Sequence, residues 1–246
     1  MRKTTLSQPP LRELVIDIQV STPPDFDASI LASVAKQLEK NYPVAEEQYV
    51  AQGQFLFKKG DFDGVKTERT LLGSVFKSKN GKNLVQFRSN GFTINKIKPY
   101  SSWEAEILKA QKLWPIYKSL AKPTGINRIA VRAINDIVLP NEAGKPDKLL
   151  KYHPRTPAIK GGVTINNFVK RHQLSVRNNC TVNIVLAYEG KRSDHDVTFL
   201  LDIDIYKTDV SDLDDKSIWE QLDQMNDLKN EIFLNNLTPK GLEVFK

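Results

Sequence analysis

Cysteine is nearly missing from this chain of 246 residues: Cys180 stands alone. One thiol cannot form an internal disulfide or a thiolate metal cluster, so a buried structural cysteine is expected. Histidine is scarce too, with only His153, His172 and His195. His195 lies in Asp194-His195-Asp196, whose side chains are metal-ligand types. Neighbours on an extended segment point to opposite sides, however, and no second histidine is near, so an exposed turn is expected and no metal site. No apolar run approaches the roughly 20 residues that cross a bilayer. The opening Met1-Arg2-Lys3 leads through polar residues to Pro9-Pro10 without the apolar stretch of a signal peptide. A cytoplasmic protein with no membrane partner is the expectation. Walker-type phosphate loops, dinucleotide fingerprints and Gly-x-Ser-x-Gly elbows are missing, and Gly161-Gly162 lacks the flanking pattern. Enzyme classes with recognisable local motifs are therefore disfavoured, no cofactor is expected, and the reading leans away from an enzyme.

What is present is charge, unevenly spread. The formal net charge is +7. Residues 1–144 carry 21 basic and 14 acidic side chains, residues 145–177 carry 8 and 1, and residues 178–246 carry 7 and 14. The middle stretch is strongly basic and the last strongly acidic, so attraction between the two within one molecule is expected to use up part of the basic patch.

A phrase also recurs. Ser101-Ser102-Trp103-Glu104 opens one helical segment and Ser217-Ile218-Trp219-Glu220 another, with Pro123 answering to Pro239 and Gly125 to Gly241 at a fixed offset of 116 residues. Period-two alternation predicts strands at 14–20, 53–57, 71–76, 84–88, 92–97, 126–139, 164–176, 181–188 and 197–206. Helical spacing predicts helices from Asp25 or Asp27 to about Pro43, from Ser101 to Ala121 with Pro115 inside, and from Ser217 to about Asn235. Ser101 and Glu104 fit a reciprocal capping box. The expected fold class is α+β: mostly antiparallel sheet with long helices on one face, in two pseudo-repeated halves, the first compatible with a ferredoxin-like unit. Residues 1–140 form the first half, 141–162 a connecting loop rich in proline, glycine and charge, and 163–246 the second half, with packing as one domain left open.

The run Gly91-Phe92-Thr93-Ile94-Asn95, then Tyr100, Trp103, Trp114 and Tyr117, and above all the strand from Arg128 to Pro140, resembles a sporadically distributed bacterial family of uncharacterised proteins of similar length. Pro10 to Val15 at the start and Ile232-Phe233 to Leu237-Thr238 at the end fit the same pattern. Ala133 departs from it, where an aromatic residue is expected. The resemblance implies a patchily inherited accessory gene, as in mobile or defence-associated systems, and brings no catalytic residues with it.

The candidate binding residues lie in the basic segment: Lys148, Lys151, Tyr152, Arg155, Lys160, Lys170, Arg171 and Arg177, with Lys145, His153, Phe168 and His172 among them. Cations that track phosphates and flat rings that stack on unpaired bases are the composition of a single-strand nucleic-acid surface. A solubilising loop resting on the acidic half is the plainer reading. Asp202 and Asp204 share one strand face and fit either a solvated outer face or a carboxylate pair for Mg²⁺. Three functions follow. The first choice is a non-catalytic soluble interaction protein with a protein partner, in a mobile or defence-associated accessory system. The alternatives are a nucleic-acid-binding module through residues 145–177 and a metal-independent ribonuclease using His153 or His172.

Overall fold

Leu14, Ile16, Ile18 and Val20 alternate with Glu13, Val15, Asp17 and Gln19, and this period of two makes β1 (Leu11–Ser21) a strand with one apolar face. All four apolar residues are buried. The computed structural model describes residues 6–58, 61–140, 148–152, 166–191, 193, 196–208, 210 and 214–246. After β1 come a 3₁₀ turn (Ala28–Val34) and α1 (Ala35–Leu38). The hairpin strands β2 (Val44–Lys58) and β3 (Asp61–Lys77) follow, then β4 (Asn83–Arg88) and β5 (Gly91–Ile97). Next are α2 (Trp103–Ala121) and β6 (Gly125–Pro140). The chain closes with β7 (Val169–Val176), β8 (Cys180–Lys191), β9 (Asp196–Lys207), α3 (Asp215–Asn236) and α4 (Pro239–Glu243). Among the described residues, no helix is long and apolar enough to cross a membrane.

All nine strands join one sheet in the order β2-β3-β4-β5-β1-β6-β9-β8-β7, and every neighbouring pair is antiparallel. This corrects the expected architecture. Two pseudo-repeated halves, a ferredoxin-like first half and long helices laid on one face are replaced by a single large sheet with short helices, the longest of 22 residues. The physical reason is the pairing of β6 with β9, from Ile129↔Lys207 to Pro140↔Asp196, which joins the two expected halves and which local alternation cannot reveal. The 116-residue register also breaks at its ends. Gly125 opens a strand, whereas Gly241 lies inside α4.

The hairpin of β2 and β3 reaches beyond the body of the sheet. β4 accompanies β3 only from Gly73 to Lys77, while β2 and β3 stay paired out to Lys58↔Asp61. Residues 49–53 and 66–70 are exposed on this two-stranded ribbon, which runs roughly 30 Å from Tyr49 to its end. Gly73 permits the close approach at its root, because a Cβ there would stand 2.0 Å from the Phe87 carbonyl oxygen.

The helices cap as short polar residues allow, one position from expectation at α2 and three at α3. Ser102, not Ser101, accepts from the Ala105 amide at the start of α2, and Asp214 accepts from the Ser217 amide ahead of α3. Of the two expected caps Asp25 and Asp27, Asp27 accepts from the Ser29 amide, and it opens a 3₁₀ turn followed by a four-residue helix ending at Leu38 in place of the expected helix to about Pro43. Trp114 and Tyr117 of α2 pack against Phe92 of β5 with ring centroids 5.7 and 5.8 Å away. The Tyr117 hydroxyl donates to the Arg88 carbonyl at 2.8 Å. α2 and α3 are tied by indole donors, Trp103 to Asp223 at 2.6 Å and Trp114 to Asp215 at 2.9 Å.

Candidate functional site

The basic segment reaches the sheet edge through two clamps. Leu149 and Leu150 are buried, and the backbone around them is held by the junction of α3 and α4. The Lys151 amide donates to the Asn236 carbonyl at 2.8 Å, and the Thr238 amide to the Leu149 carbonyl at 3.0 Å. Gly241 makes this fit, since a Cβ there would meet the Leu149 carbonyl oxygen at 2.2 Å. The second clamp is side-chain packing. Tyr152 and His172 meet edge to face with centroids 4.9 Å apart, and the Lys170 ammonium lies 3.9 Å from the Tyr152 ring centre. Burial of the Tyr152 phenol pushes its pKa up.

Lys151, Tyr152, Lys170 and Arg171 are thereby brought to one edge of the sheet, with Lys148 at the start of the clamped segment. Arg177 begins the 3₁₀ turn Arg177–Asn179 that joins β7 to β8. Arg155 and Lys160, like Lys145, His153 and His195, lie outside the described residues. β7 is the last strand of the sheet and pairs with β8 in unbroken register from Val169↔Ala187 to Val176↔Cys180. Six of its eight residues are exposed, Val169 at 70% and Leu174 at 41%.

The acids expected to neutralise this edge are largely met from other elements. Asp215 pairs with Lys118 and Trp114 of α2, and Asp223 accepts from Trp103. Asp202 and Asp204 are held by Arg132 and Arg128 of β6. Lys151, Lys170 and Arg171 have no carboxylate partner among the described residues.

A second polar feature covers the middle of the sheet on the face opposite Leu14, Ile16 and Ile18. Even spacing within each strand places Asp17, Arg88, Thr93, Arg128, Arg132 and Asp204 there, around a cavity of about 300 Å³. Asp17 accepts from Thr93 at 2.6 Å and from Arg88 at 2.8 Å on one oxygen, and from Arg128 at 3.2 Å on the other. Arg128 continues to both oxygens of Asp204 at 3.2 and 3.1 Å, with its guanidinium 4.5 Å from the centre of the Tyr206 ring. Arg132 grips Asp202 with a two-pronged fork at 2.8 and 2.6 Å. Burial pushes the Asp204 carboxyl up, against the opposing pull of Arg128 and Arg132.

Asp202 and Asp204 thus face the outer side of the sheet and bind arginines. Among the described residues, no group of three or more His, Cys, Asp or Glu side chains is placed to hold a metal ion. Cys180 is buried, and burial raises its thiol pKa, which fits a structural thiol. Sequence reasoning missed the role of Arg88, Arg128 and Arg132. The four-residue spacing of Arg128 and Arg132 in a strand was the available signal, because it puts both on one face. The arrangement can tie β1, β4, β5, β6 and β9 together and present a charge-balanced surface, while among the described residues the β7 edge presents cations without carboxylate partners and a backbone with no second partner strand. No protein-family model and no curated protein matches the chain.

Proposed function

We propose that this chain is a non-catalytic interaction protein that recognises a protein partner at the β7 edge, within the mobile or defence-associated setting that its family resemblance implies. One observation carries the reading: an exposed edge strand, flanked by Lys151, Lys170 and Arg171 without carboxylate partners among the described residues. Open strand edges are sites where another chain adds by backbone pairing, and unpaired cations steer an acidic partner toward them.

The same cations support nucleic-acid binding as the second reading, through phosphate contacts. The rings favour the protein reading, because Tyr152 and His172 are packed against each other and Tyr152 carries Lys170 on its face. For the ribonuclease reading, His172 is exposed on β7 and His153 lies outside the described residues.

The test is a photo-crosslinking amino acid at Leu174, compared with one at Lys112 on α2, in cells of the protein's source. The expected result is a discrete protein adduct from position 174 that is missing from position 112 and weakens as salt is raised. Adducts to nucleic acid from position 174 would move the conclusion to the second reading. Absence of any position-dependent adduct would overturn both.

A further inference from the structure

We infer that β7 accepts an extended acidic segment of the partner protein as a tenth strand of the sheet. This rests on the protein-partner reading and states how the partner is held. In an antiparallel pair, alternate residues turn both backbone groups toward the neighbouring strand and the rest turn theirs away. β8 satisfies one set in β7, and among the described residues no strand pairs with the other set along a length of about 26 Å.

The two ends of the sheet differ in how they treat such an edge. β2 is broken by register shifts at Gln48/Tyr49 and Leu56/Phe57, and it carries Glu46 and Glu47. β7 has no proline, no acid and no register shift against β8. Natural edges are commonly blunted by bulges, prolines or a lysine projecting at the edge. Lys170 does not act in this way, since its ammonium is folded over the Tyr152 ring. The edge is therefore continuous enough to template a partner strand.

Charge selects the occupant. Lys151 and Arg171 favour aspartate and glutamate on the incoming strand, while exposed Val169 and Leu174 offer apolar positions on either side of Arg171. A second copy of this chain is the poorer occupant, because pairing β7 with itself joins two strands that each carry Lys170 and Arg171 and no acid.

A random peptide library displayed on phage, selected against the full-length protein, provides the probe. The expected result is enrichment of peptides in which Asp or Glu alternates with Val, Ile or Thr. Synthetic copies should slow exchange of the outward-facing β7 amides. Of the neighbouring variants Arg171→Pro and His172→Pro, one removes an outward donor and one a donor to β8. The outward one is expected to weaken peptide binding about tenfold while leaving the fold intact by circular dichroism. Should both variants misfold, the exchange result on the unaltered protein decides. Failure to enrich acidic peptides, or enriched peptides that leave β7 exchange unchanged, overturns strand addition. The protein-partner reading fails separately, through the missing adduct at position 174.

Discussion

Arg128→Ala is expected to lower the stability of the protein by about 2–3 kcal/mol, somewhat less than the loss typical of a fully buried pair because the site is partly open to water. Among the described residues Arg128 is the one cation shared by Asp17 of β1 and Asp204 of β9, so its removal leaves a buried and a part-buried carboxylate short of a partner across the centre of the sheet. Arg128→Lys keeps the charge but not the planar fork, and the loss should be smaller. The pH dependence has a definite sign. Burial already holds Asp204 above the usual carboxylate value, and without Arg128 its folded-state pKa rises further. A group whose folded pKa exceeds the unfolded value favours the folded state when protonated, so the penalty should be full at neutral pH and shrink in acid. Urea unfolding of the variant and the parent at pH 7 and at about pH 4 measures both points. An equal midpoint shift at the two values would contradict the pairing.

Lys229→Met should act in the opposite direction and raise stability by up to about 3 kcal/mol at pH 7. Lys229 lies on the buried face of α3 with Met225 and Phe233, and burial lowers its pKa to about 8, with Asp227 the charge that pulls it back. An unfolded chain keeps the lysine proton up to its ordinary pKa of 10.5, so folding carries a penalty wherever the buried amine must be charged. That penalty is complete below about pH 8 and fades between there and 10.5, so parental stability should climb over this window. Methionine keeps the aliphatic length without the charge. The gain from Lys229→Met should therefore be large at pH 7 and much reduced at about pH 9.5 in chemical denaturation. A gain that does not change with pH would show that packing, and not the buried charge, is responsible.

How far the sequence foretold this molecule differs from element to element. β1 was legible because Leu14, Ile16, Ile18 and Val20 line the apolar core on one side while Glu13, Asp17 and Gln19 lie on the polar side, and that contrast writes a period of two. The ribbon from Tyr49 to Lys58 was legible only at 53–57. Where it is exposed, as at 49–53, neither face is buried, so nothing enforces alternation there. α2 and α3 were found from their buried stripes, while their first residues were misplaced because Ser101, Ser102, Asp214 and Ser217 are all competent caps. Strand order could not be read at all. The neighbours of β6 are β1 and β9, both distant in sequence, and that pairing turns two expected halves into one sheet.

The site shows the same division. The basic residues were visible as a cluster in the sequence, and Lys151, Lys170 and Arg171 do meet at one edge. Their expected acidic partners went elsewhere because β9 lies beside β6 and α3 beside α2, so Asp202, Asp204, Asp215 and Asp223 are met before they could reach β7. The clamp at Gly241 depends on a contact with Leu149 that no local pattern announces.

Residue-resolved amide exchange along β7 of the isolated protein tests the central claim most directly. An open edge predicts alternation: amides facing β8 are protected, and those between them exchange almost as fast as in an unstructured chain, while β1 and β6 at the middle of the sheet exchange slowest. Uniform protection along β7, equal to that of β8, would mean that the edge is already covered and would contradict its role as the place where a partner binds.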